Sequence, residues 1–327
     1  MPLGVACQPP RLLVTLVLVG LFAVTSLFGA TEVTKPFAGI TLTKRTETAP
    51  RAVTIHIVQV DLTSPGLSFK LTPPSGSLDT VRQTTLEYLR QEKAQLAVNG
   101  HYFLPFPSPQ MDASVVGFAA SGGKVFAPFE EPVQSYALVK HVPALNLDPK
   151  NLASFVHLDP SDPERRKVLE PVTIWNALSG SAQIVTKGEK TIPVYLDATH
   201  PGGLLTPGGP GNYRNERSWY DAVNARTAIG LTRDGKTLVI LVVDRAGGSQ
   251  GMTVGEVADL LIKDYAVVDA LNLDGGGSSS LAMENPKTKV AEWVNVSSDN
   301  PAGRSVADSL AIFARPVDSS AADAMMR

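Results

Sequence analysis

The stretch at residues 225–245, ARTAIGLTRDGKTLVILVVDR, predicts a β-hairpin. Apolar residues dominate both halves of the stretch, which predicts strands over residues 226–231 and 237–243. The five connecting residues include Asp234-Gly235, a dipeptide that readily adopts positive φ in tight turns. We therefore expect two antiparallel strands here.

A second apolar run, at residues 267–273, predicts a buried strand that ends at Asp274. Three glycines follow at 275–277, and then three serines. Ordering consecutive glycines costs backbone entropy, so a ligand or a structural role is expected to offset that cost. Their N–H groups could form an anion-binding nest, although a plain flexible turn would have the same sequence. No lysine follows the glycines, so the turn is not a Walker nucleotide-binding loop.

Other segments predict further strands and two helices. Alternating apolar and polar residues over 53–60 indicate a half-buried strand in which His56 faces solvent. Capping-box spacing predicts one helix that begins at Thr80 or Thr84 and another that begins at Thr253. Further strands are expected at 67–71, 95–98, 114–118, 136–139, 155–158, 172–177 and 305–314.

The middle of the chain, residues 105–225, is rich in proline and glycine and indicates loop-rich β structure, with a mobile loop at 199–211. No internal repeat is visible. The sequence therefore predicts a mixed α/β domain of the α+β type, with a largely antiparallel sheet, a few packed helices and long loops. We place this domain at residues 51–316, between a linker at 31–50 and a C-terminal tail at 317–327.

The composition is that of a globular protein, with 327 residues of which 43% are hydrophobic and 18% charged. A net charge of −2 and the lack of a basic block argue against a nucleic-acid partner. The 27 glycines and 25 prolines indicate many turns and exclude a coiled coil. The single cysteine, Cys7, precedes the first apolar run, so the remaining chain can form no internal disulfide and no thiolate metal site.

Residues 12–30 form an uncharged, mostly apolar run preceded by Arg11. Such a run predicts that residues 1–30 are a signal peptide or an N-terminal membrane anchor. Phe28 lies two residues before the best cleavage position, Ala30, where signal peptidase prefers a small side chain, so a retained anchor stays open beside a cleaved signal. We expect an exported protein that is periplasmic, extracellular or anchored to a membrane with its domain outside.

Charged side chains lie at the ends of the strongest predicted strands. Asp244 ends the hairpin, and Asp274 ends the run at 267–273. Carboxylates beside loops at strand ends are frequent positions for reactive groups. Arg226 opens the hairpin and is expected near Asp244, where its guanidinium would either recognise a phosphate or form a buried ion pair with that carboxylate.

Five stretches match a known family: AVNGHYF (97–103), ARTAIGLTRDGKTLVILVVDR (225–245), GMTVGEVADLL (251–261), DALNLDGGGSSSLA (269–282) and, more loosely, GRSVADSLAIF (303–313). On these stretches the chain resembles the phosphodiester glycosidases of the N-acetylglucosamine-1-phosphodiester alpha-N-acetylglucosaminidase type, a family with many bacterial envelope members. The resemblance spans about residues 52–315, and LNLDGGGSS following RTAIG is its most specific combination.

The resemblance implies a hydrolase whose sugar-phosphate site is lined by Asn99, Arg226, Thr227, Asp244, Asn272, Asp274, Gly275, Gly276, Gly277 and Ser278. Arg304, in the loosest match, is a further candidate substrate-binding residue. His101 stands where relatives often have a small residue, and it is either a local acid-base group or an aromatic-sized substitute. The Asp-Gly-Arg sequence of the family is here Asp244-Arg245-Ala246, which bears on the geometry around Asp244.

The chemistry of a sugar 1-phosphodiester sets the demands on such a site. The leaving group is a phosphate monoester with a second pKa of about 6, so it departs without a strong general acid. Charge recognition is then the larger demand, and Arg226 and the glycine turn are candidates for it. A carboxylate must still act as nucleophile or as base for water, with Asp274 the first choice and Asp244 the second.

The expected substrate is a glycosyl phosphodiester in an envelope polysaccharide or a modified glycan. The alternative is a non-catalytic protein that binds envelope glycans through the same groups. No cofactor is firmly indicated; a divalent cation could bind the oxygens of Asp244 and Asp274, but the dense Asp/Asn loop typical of Ca²⁺ is missing from the sequence. The sequon that begins at Asn295 matters only in a eukaryotic secretory pathway.

Overall fold

The computed structural model describes Met1 and residues 29–130, 141–192, 220 and 222–317. Within these residues the strands are short and numerous, and the two α-helices are α1 (Thr85–Glu92) and α2 (Val254–Tyr265). The expected antiparallel pairing is confirmed, for example between the two halves of the hairpin at 226–243. The fold is nevertheless richer in sheet, and poorer in helix, than a mixed α/β architecture implies.

The strands of the described residues are β1 (Thr31–Phe37), β2 (Ile40–Glu47), β3 (Val53–Asp61), β4 (Ser68–Leu71), β5 (Thr80–Val81), β6 (Leu96–Asn99), β7 (Phe103–Leu104), β8 (Asp112–Val115), β9 (Ala119–Ser121), β10 (Lys124–Ala127), β11 (Ala144–Leu147), β12 (Ala153–Val156), β13 (Asn176–Ser179), β14 (Ala182–Thr186), β15 (Glu189–Lys190), β16 (Arg226–Thr232), β17 (Thr237–Val243), β18 (Val267–Asn272), β19 (Leu281–Glu284), β20 (Ala291–Trp293) and β21 (Ser309–Phe313). Most of the strands expected from the sequence are confirmed to within a few residues.

The main sheet has the order β1-β2-β3-β17-β16-β18-β14-β15. The predicted hairpin forms its centre, and its register pairs Arg226 with Val243 and Leu231 with Leu238. Alternate residues of these inner strands enter two different cores: Leu241 belongs to the core beneath α2, and Ile240 to the core on the other face. Burial on both faces explains why the strands read as continuous apolar runs.

A second sheet, of order β20-β19-β6-β21-β4, carries α1 on its outer face. Its inner side chains, such as Val98 and Leu310, share one apolar core with Ile229 and Leu271 of the main sheet. Two further sheets, the five-stranded β10-β9-β13-β11-β12 and the three-stranded β5-β8-β7, complete the described part of the fold. Because the main sheet and the second sheet share a core, the end of β6 comes to lie beside the end of β18.

Two expectations are wrong. The linker placed at 31–50 is instead a hairpin of β1 and β2, and β2 pairs along its length with β3, so the folded unit begins well before residue 51. The alternation of Ile40 and Leu42, both buried, is the sequence signal for this edge. His56 does not face solvent but is 2% exposed, because β3 is an inner strand covered on both sides.

Several expectations fall wholly or mostly outside the described residues: the apolar run at 12–30, of which 12–28 are not described, the strand at 136–139, the loop at 199–211, and the tail at 317–327, of which only Val317 is described. The expected strand at 172–177 lies further along the chain, as β13. Among the helices that the structure describes, none has the length and apolar character needed to cross a membrane.

Removal of the α2 cap should weaken the fold measurably. The Thr253 hydroxyl accepts from the Glu256 N–H, and the Glu256 carboxylate accepts from the Thr253 N–H, which confirms the predicted capping box. We expect Thr253→Ala to lower the free energy of unfolding by about 1 kcal/mol, measured by urea denaturation. Thr253→Ser, which keeps the hydroxyl, should unfold like the wild type; equal loss in both variants would contradict the capping role.

Candidate active site

Asp274 lies between the end of β18 in the main sheet and the end of β6 in the second sheet. The backbone runs from β18 through Leu273, whose N–H donates to the Thr227 carbonyl over 2.9 Å. The Asp274 N–H then donates to the Gly100 carbonyl over 3.1 Å, so the chain leaves the main sheet and joins the end of β6. The Gly275 N–H donates to the Asp274 carboxylate over 2.8 Å. Asp274 is thus fixed at both its backbone and its side chain.

The buried side chain of Asn99 holds this junction together. Its Nδ2 donates to the Asp274 carbonyl over 2.8 Å. Its Oδ1 accepts from the Thr227 hydroxyl over 2.8 Å and from the Ser280 N–H over 3.0 Å. The predicted residues Asn99 and Thr227 are therefore brought to the site as supports of the turn, with their polar atoms bonded to protein groups.

Burial raises the pKa of Asp274 to about 7. Hydrogen bonding to Ser278, the positive charge of Arg304 and the Gly275 N–H act in the opposite direction, and the Asp308 carboxylate adds to the rise. Asp274 is 8% exposed. A carboxyl with such a pKa is present in both protonation states near neutral pH and can take up or release a proton there.

Two of the glycines after Asp274 are favoured for different reasons, one by its backbone conformation and the other by close contacts. Gly276 has φ +59°, in the left-handed region. A Cβ on Gly277 would lie 2.3 Å from an Arg304 Nη atom and 2.5 Å from the Asp299 Cβ. The Gly276 N–H donates to the Ala225 carbonyl over 2.9 Å, and with the Gly275 contact this occupies two of the N–H groups expected in an anion nest.

A cavity of about 460 Å³ opens above the turn. One wall is aromatic and another carries charged and amide groups, a combination typical of sites for small polar ligands. The lining residues are Tyr102, Phe103, Phe106, Asn224, Arg245, Asp274, Gly275, Gly276, Gly277, Ser298, Asp299 and Arg304. Of the predicted site residues, Asp274, the three glycines and Arg304 therefore share one cavity.

Arg304 lies beside the glycine turn and links Ser278 to Asp299. Its Nε and one Nη donate to the same Asp299 oxygen, over 3.0 and 2.7 Å, and the other Nη donates to the Ser278 hydroxyl over 3.1 Å. The guanidinium carbon lies 4.7 Å from the centre of the Phe106 ring, within cation–π distance. Arg304 thus contacts Ser278, which hydrogen-bonds Asp274, and its charge is balanced by Asp299.

Arg226 does not line the cavity. It is 1% exposed, its Nε donates to the Met252 carbonyl over 3.0 Å, and an Nη donates to the Ala222 carbonyl. These contacts tie the start of β16 to the segment before α2. These hydrogen bonds of the guanidinium go to backbone carbonyls and not to Asp244, which the sequence suggested as an ion-pair partner.

Asp244 also lies away from the cavity lining. One carboxylate oxygen is 3.0 Å from His56 Nε2, and the other accepts from Asn295 Nδ2 over 3.2 Å and the Val296 N–H over 3.1 Å. Asn295 Nδ2 also donates to the Ser279 carbonyl, and its Oδ1 accepts from the Leu281 N–H over 2.7 Å. Asp244 therefore supports the serine end of the turn indirectly, through Asn295, which contacts both Asp244 and Ser279.

His101 and Asn272 are buried beneath the site. His101 Nδ1 lies 2.7 Å from the Asp308 carboxylate, and its Nε2 lies 3.1 Å from the Phe118 carbonyl. Burial lowers the pKa of His101, but the charge and hydrogen bond of Asp308, together with the Phe118 carbonyl and the Asp79 charge, outweigh burial and raise the pKa. Asn272 Nδ2 donates to the Ser181 hydroxyl over 2.9 Å. Neither residue lines the cavity, so the structure gives them supporting positions.

The sequence interpretation missed the aromatic wall and four polar residues of the lining, Asn224, Arg245, Ser298 and Asp299. Tyr102 and Phe103 lie in the AVNGHYF stretch, and Arg245 directly follows Asp244, so their proximity to recognised motifs was the available signal. Asn224 directly precedes the matched stretch at 225–245, so the same signal was available for it, whereas Ser298 and Asp299 lie between matched stretches. No group of three or more His, Cys, Asp or Glu side chains is arranged to hold a metal ion among the residues that the structure describes.

The part of the sequence that forms the site is similar to sequences of known proteins. A model of the phosphodiester glycosidase family matches residues 92–313. N-acetylglucosamine-1-phosphodiester alpha-N-acetylglucosaminidase from Bos taurus is 43% identical over 63 residues, which cover 19% of this chain and 12% of that protein. The Mus musculus protein of the same name is 29% identical over 122 residues, covering 36% and 21%. The chain thus matches only a small part of the length of these relatives.

Two solved structures have the same fold. The catalytic domain of zebrafish N-acetylglucosamine-1-phosphodiester alpha-N-acetylglucosaminidase, auto-inhibited by its pro-peptide, has a TM-score of 0.57 at 22% identity, covering 88% of this chain and 89% of that chain. A hypothetical protein from Synechocystis has a TM-score of 0.60 at 14% identity, covering 88% and 64%. Because the family match extends over more than half of the sequence, from the end of α1 to the last strand, the chain belongs to the phosphodiester glycosidase family of hydrolases.

Proposed function

We propose that this chain hydrolyses a glycosyl phosphodiester, with Asp274 as the carboxylate that acts at the anomeric centre. The observation that carries the proposal is the position of this carboxyl: buried, with a pKa raised to about 7, and open to a cavity with arginine and aromatic side chains. The membership of the chain in the phosphodiester glycosidase family supports the reaction class.

Bond cleavage in this site would follow from the chemistry of the leaving group. Breaking the bond between the anomeric carbon and the phosphate oxygen releases a phosphate monoester, whose second pKa is about 6, so little protonation is needed. Ionised Asp274 would either attack the anomeric carbon or accept a proton from the attacking water. The charge of the departing phosphate would be met by arginine at the cavity.

Asp244 does not take part in our proposed mechanism, because its carboxylate contacts His56, Asn295 and the Val296 N–H instead of lining the cavity. Asp299 does reach the cavity, but it pairs with Arg304. We therefore assign Asp244 to support of the turn and leave the reacting carboxylate role to Asp274 alone.

The proposed substrate is a sugar 1-phosphodiester in an envelope polysaccharide or a modified glycan. The names of the curated relatives describe action on N-acetylglucosamine-1-phosphodiesters, which supports a phosphorylated glycoside. Tyr102, Phe103 and Phe106 provide an apolar wall on which a sugar ring could pack. The apolar run at 12–30 supports export of the protein. A glycan-binding protein without activity is the alternative, and multiple turnover separates the two.

Asp274→Asn should abolish hydrolysis, because the amide can neither ionise nor accept a proton from water. We expect a loss of at least about 1,000-fold in kcat on an N-acetylglucosamine-1-phosphodiester, measured by release of free sugar. Asp259→Asn, an exposed change of the same type on α2, should retain wild-type turnover. Undiminished turnover in Asp274→Asn, with its circular dichroism unchanged, would exclude the proposed role.

The pH dependence of hydrolysis should report the ionisation of Asp274. The ionised form is populated above its pKa of about 7, so kcat/KM should fall about tenfold per pH unit below that value and level off above it. Initial rates at subsaturating substrate across the neutral range measure this profile. An optimum on the acid side would indicate that the protonated carboxyl is the active form.

The raised pKa of Asp274 also predicts that the stability of the folded protein falls with rising pH, whereas its activity should rise. Because the folded-state pKa of Asp274 lies above the ordinary value of 3.8, the folded protein binds the proton more tightly, and stability falls as pH rises from about 4 to 7. Asp274→Asn should remove this cost and raise stability above pH 7 by at most about 4 kcal/mol, at about 1.4 kcal/mol per pKa unit. Thermal unfolding at pH 4 and pH 8 tests it; an equal Tm difference at both would contradict the linkage.

A further inference from the structure

The two arginines at the cavity differ in their partners. Arg304 directs its Nε and one Nη to Asp299 and the other Nη to Ser278, and it lies over the Phe106 ring. Its positive charge is balanced by an adjacent carboxylate, and donors on all three of its nitrogens are engaged. An incoming phosphate would have to compete with Asp299 for it. Arg304 is therefore better suited to holding the turn in place than to binding an anion.

Arg245, the other arginine at the cavity, engages fewer of its guanidinium N–H groups than Arg304 does. One Nη donates to Asn224 Oδ1 over 3.1 Å. Across the described part of the chain no carboxylate forms an ion pair with Arg245, in contrast to Arg45, Arg51 and Arg304. The guanidinium therefore keeps its net positive charge at the cavity, and it retains the planar set of N–H groups that suits a pair of phosphate oxygens.

Asn224 fixes the position of that guanidinium. Its Oδ1 accepts from both the Ala225 N–H, over 2.9 Å, and Arg245. Its Nδ2 lies 3.6 Å from the point that a Cβ on Gly276 would occupy, so the amide borders the glycine turn on the side that the missing side chain leaves open. A phosphate placed there would meet a charged donor from Arg245 and a neutral donor from Asn224, beside Asp274 in the same cavity.

We propose that Arg245, held by Asn224, binds the phosphate of the substrate and sets the preference of the enzyme for phosphorylated over neutral glycosides. This inference rests on the proposed hydrolysis of a glycosyl phosphodiester and names the group that recognises the phosphate. It replaces Arg226, whose guanidinium donates to backbone carbonyls, in the role expected from the sequence. Arg304 becomes a positioning residue for the turn.

The first experiment compares two substrates of one sugar: methyl N-acetylglucosaminyl phosphate and the nitrophenyl glycoside, which carries no phosphate. Arg245→Ala should lower kcat/KM on the phosphodiester by about 10- to 100-fold, the size expected for loss of a charge-assisted hydrogen bond, and leave the aryl glycoside within about threefold. Arg245→Lys should recover part of the loss. Arg233→Ala, at the exposed turn of the central hairpin, is the matched control and should behave as wild type.

Wild-type kinetics in Arg245→Ala on the phosphodiester, or an equal loss on both substrates, would overturn the assignment. The second experiment separates it from the proposed reaction by using inorganic phosphate as the probe in titration calorimetry. Phosphate should bind the wild-type protein and Arg233→Ala, and bind Arg245→Ala at least about tenfold more weakly. Absence of hydrolysis by the wild type would refute the reaction alone, whereas equal phosphate binding by wild type and Arg245→Ala, or none by the wild type, would refute the anion site.

Discussion

The side-chain amide of Asn99 is the contact on which the geometry of the site depends. It stands at the end of β6 in one sheet, accepts from Thr227 in the other, and bonds on both sides of the glycine turn, at the Asp274 carbonyl and the Ser280 N–H. All of these atoms are buried, so a lost partner would leave a polar group unsatisfied at a cost of about 1–3 kcal/mol. The turn therefore has one position relative to both sheets.

That fixed position has an electrostatic consequence. Asp274 is held where water is largely excluded, so its carboxyl is poorly stabilised as an anion. Its raised pKa follows mainly from burial, with a smaller contribution from the Asp308 carboxylate. Arg304 and Asp299 largely cancel one another nearby. In the proposed assignment this leaves a cavity with one uncompensated cation, Arg245, which suits a substrate of single negative charge. The near-zero net charge of the whole chain is consistent with local rather than broad anion recognition.

Local signals were enough to predict the elements of the fold but not the partners of the charged residues. The central hairpin, β18 and the capping box at Thr253 follow from spacing within a few residues, and they are confirmed. Of the two caps that the sequence allowed for α1, Thr80 and Thr84, the structure has Thr84. The contact of Asp244 with His56 joins positions 188 residues apart, and nothing in strand periodicity reveals it. Arg226 was correctly placed at the start of a strand, yet its side chain turns to backbone carbonyls, a choice that depends on where the segment before α2 packs. The sequence pattern therefore predicts which residues lie at the ends of strands. Which of their side chains point into a cavity depends on tertiary packing, which the pattern does not reveal.

The burial of Asn295 affects the choice of host in which the protein is expressed. Its side-chain amide donates to Asp244 and to the Ser279 carbonyl and accepts from the Leu281 N–H, so every polar atom is engaged behind the turn. The same residue opens an Asn-Val-Ser acceptor sequence for N-linked glycans. In a eukaryotic secretory host an oligosaccharide added to the nascent chain would occupy the space that this amide needs. A bacterial host, which leaves the asparagine unmodified, is therefore the appropriate source of correctly folded protein.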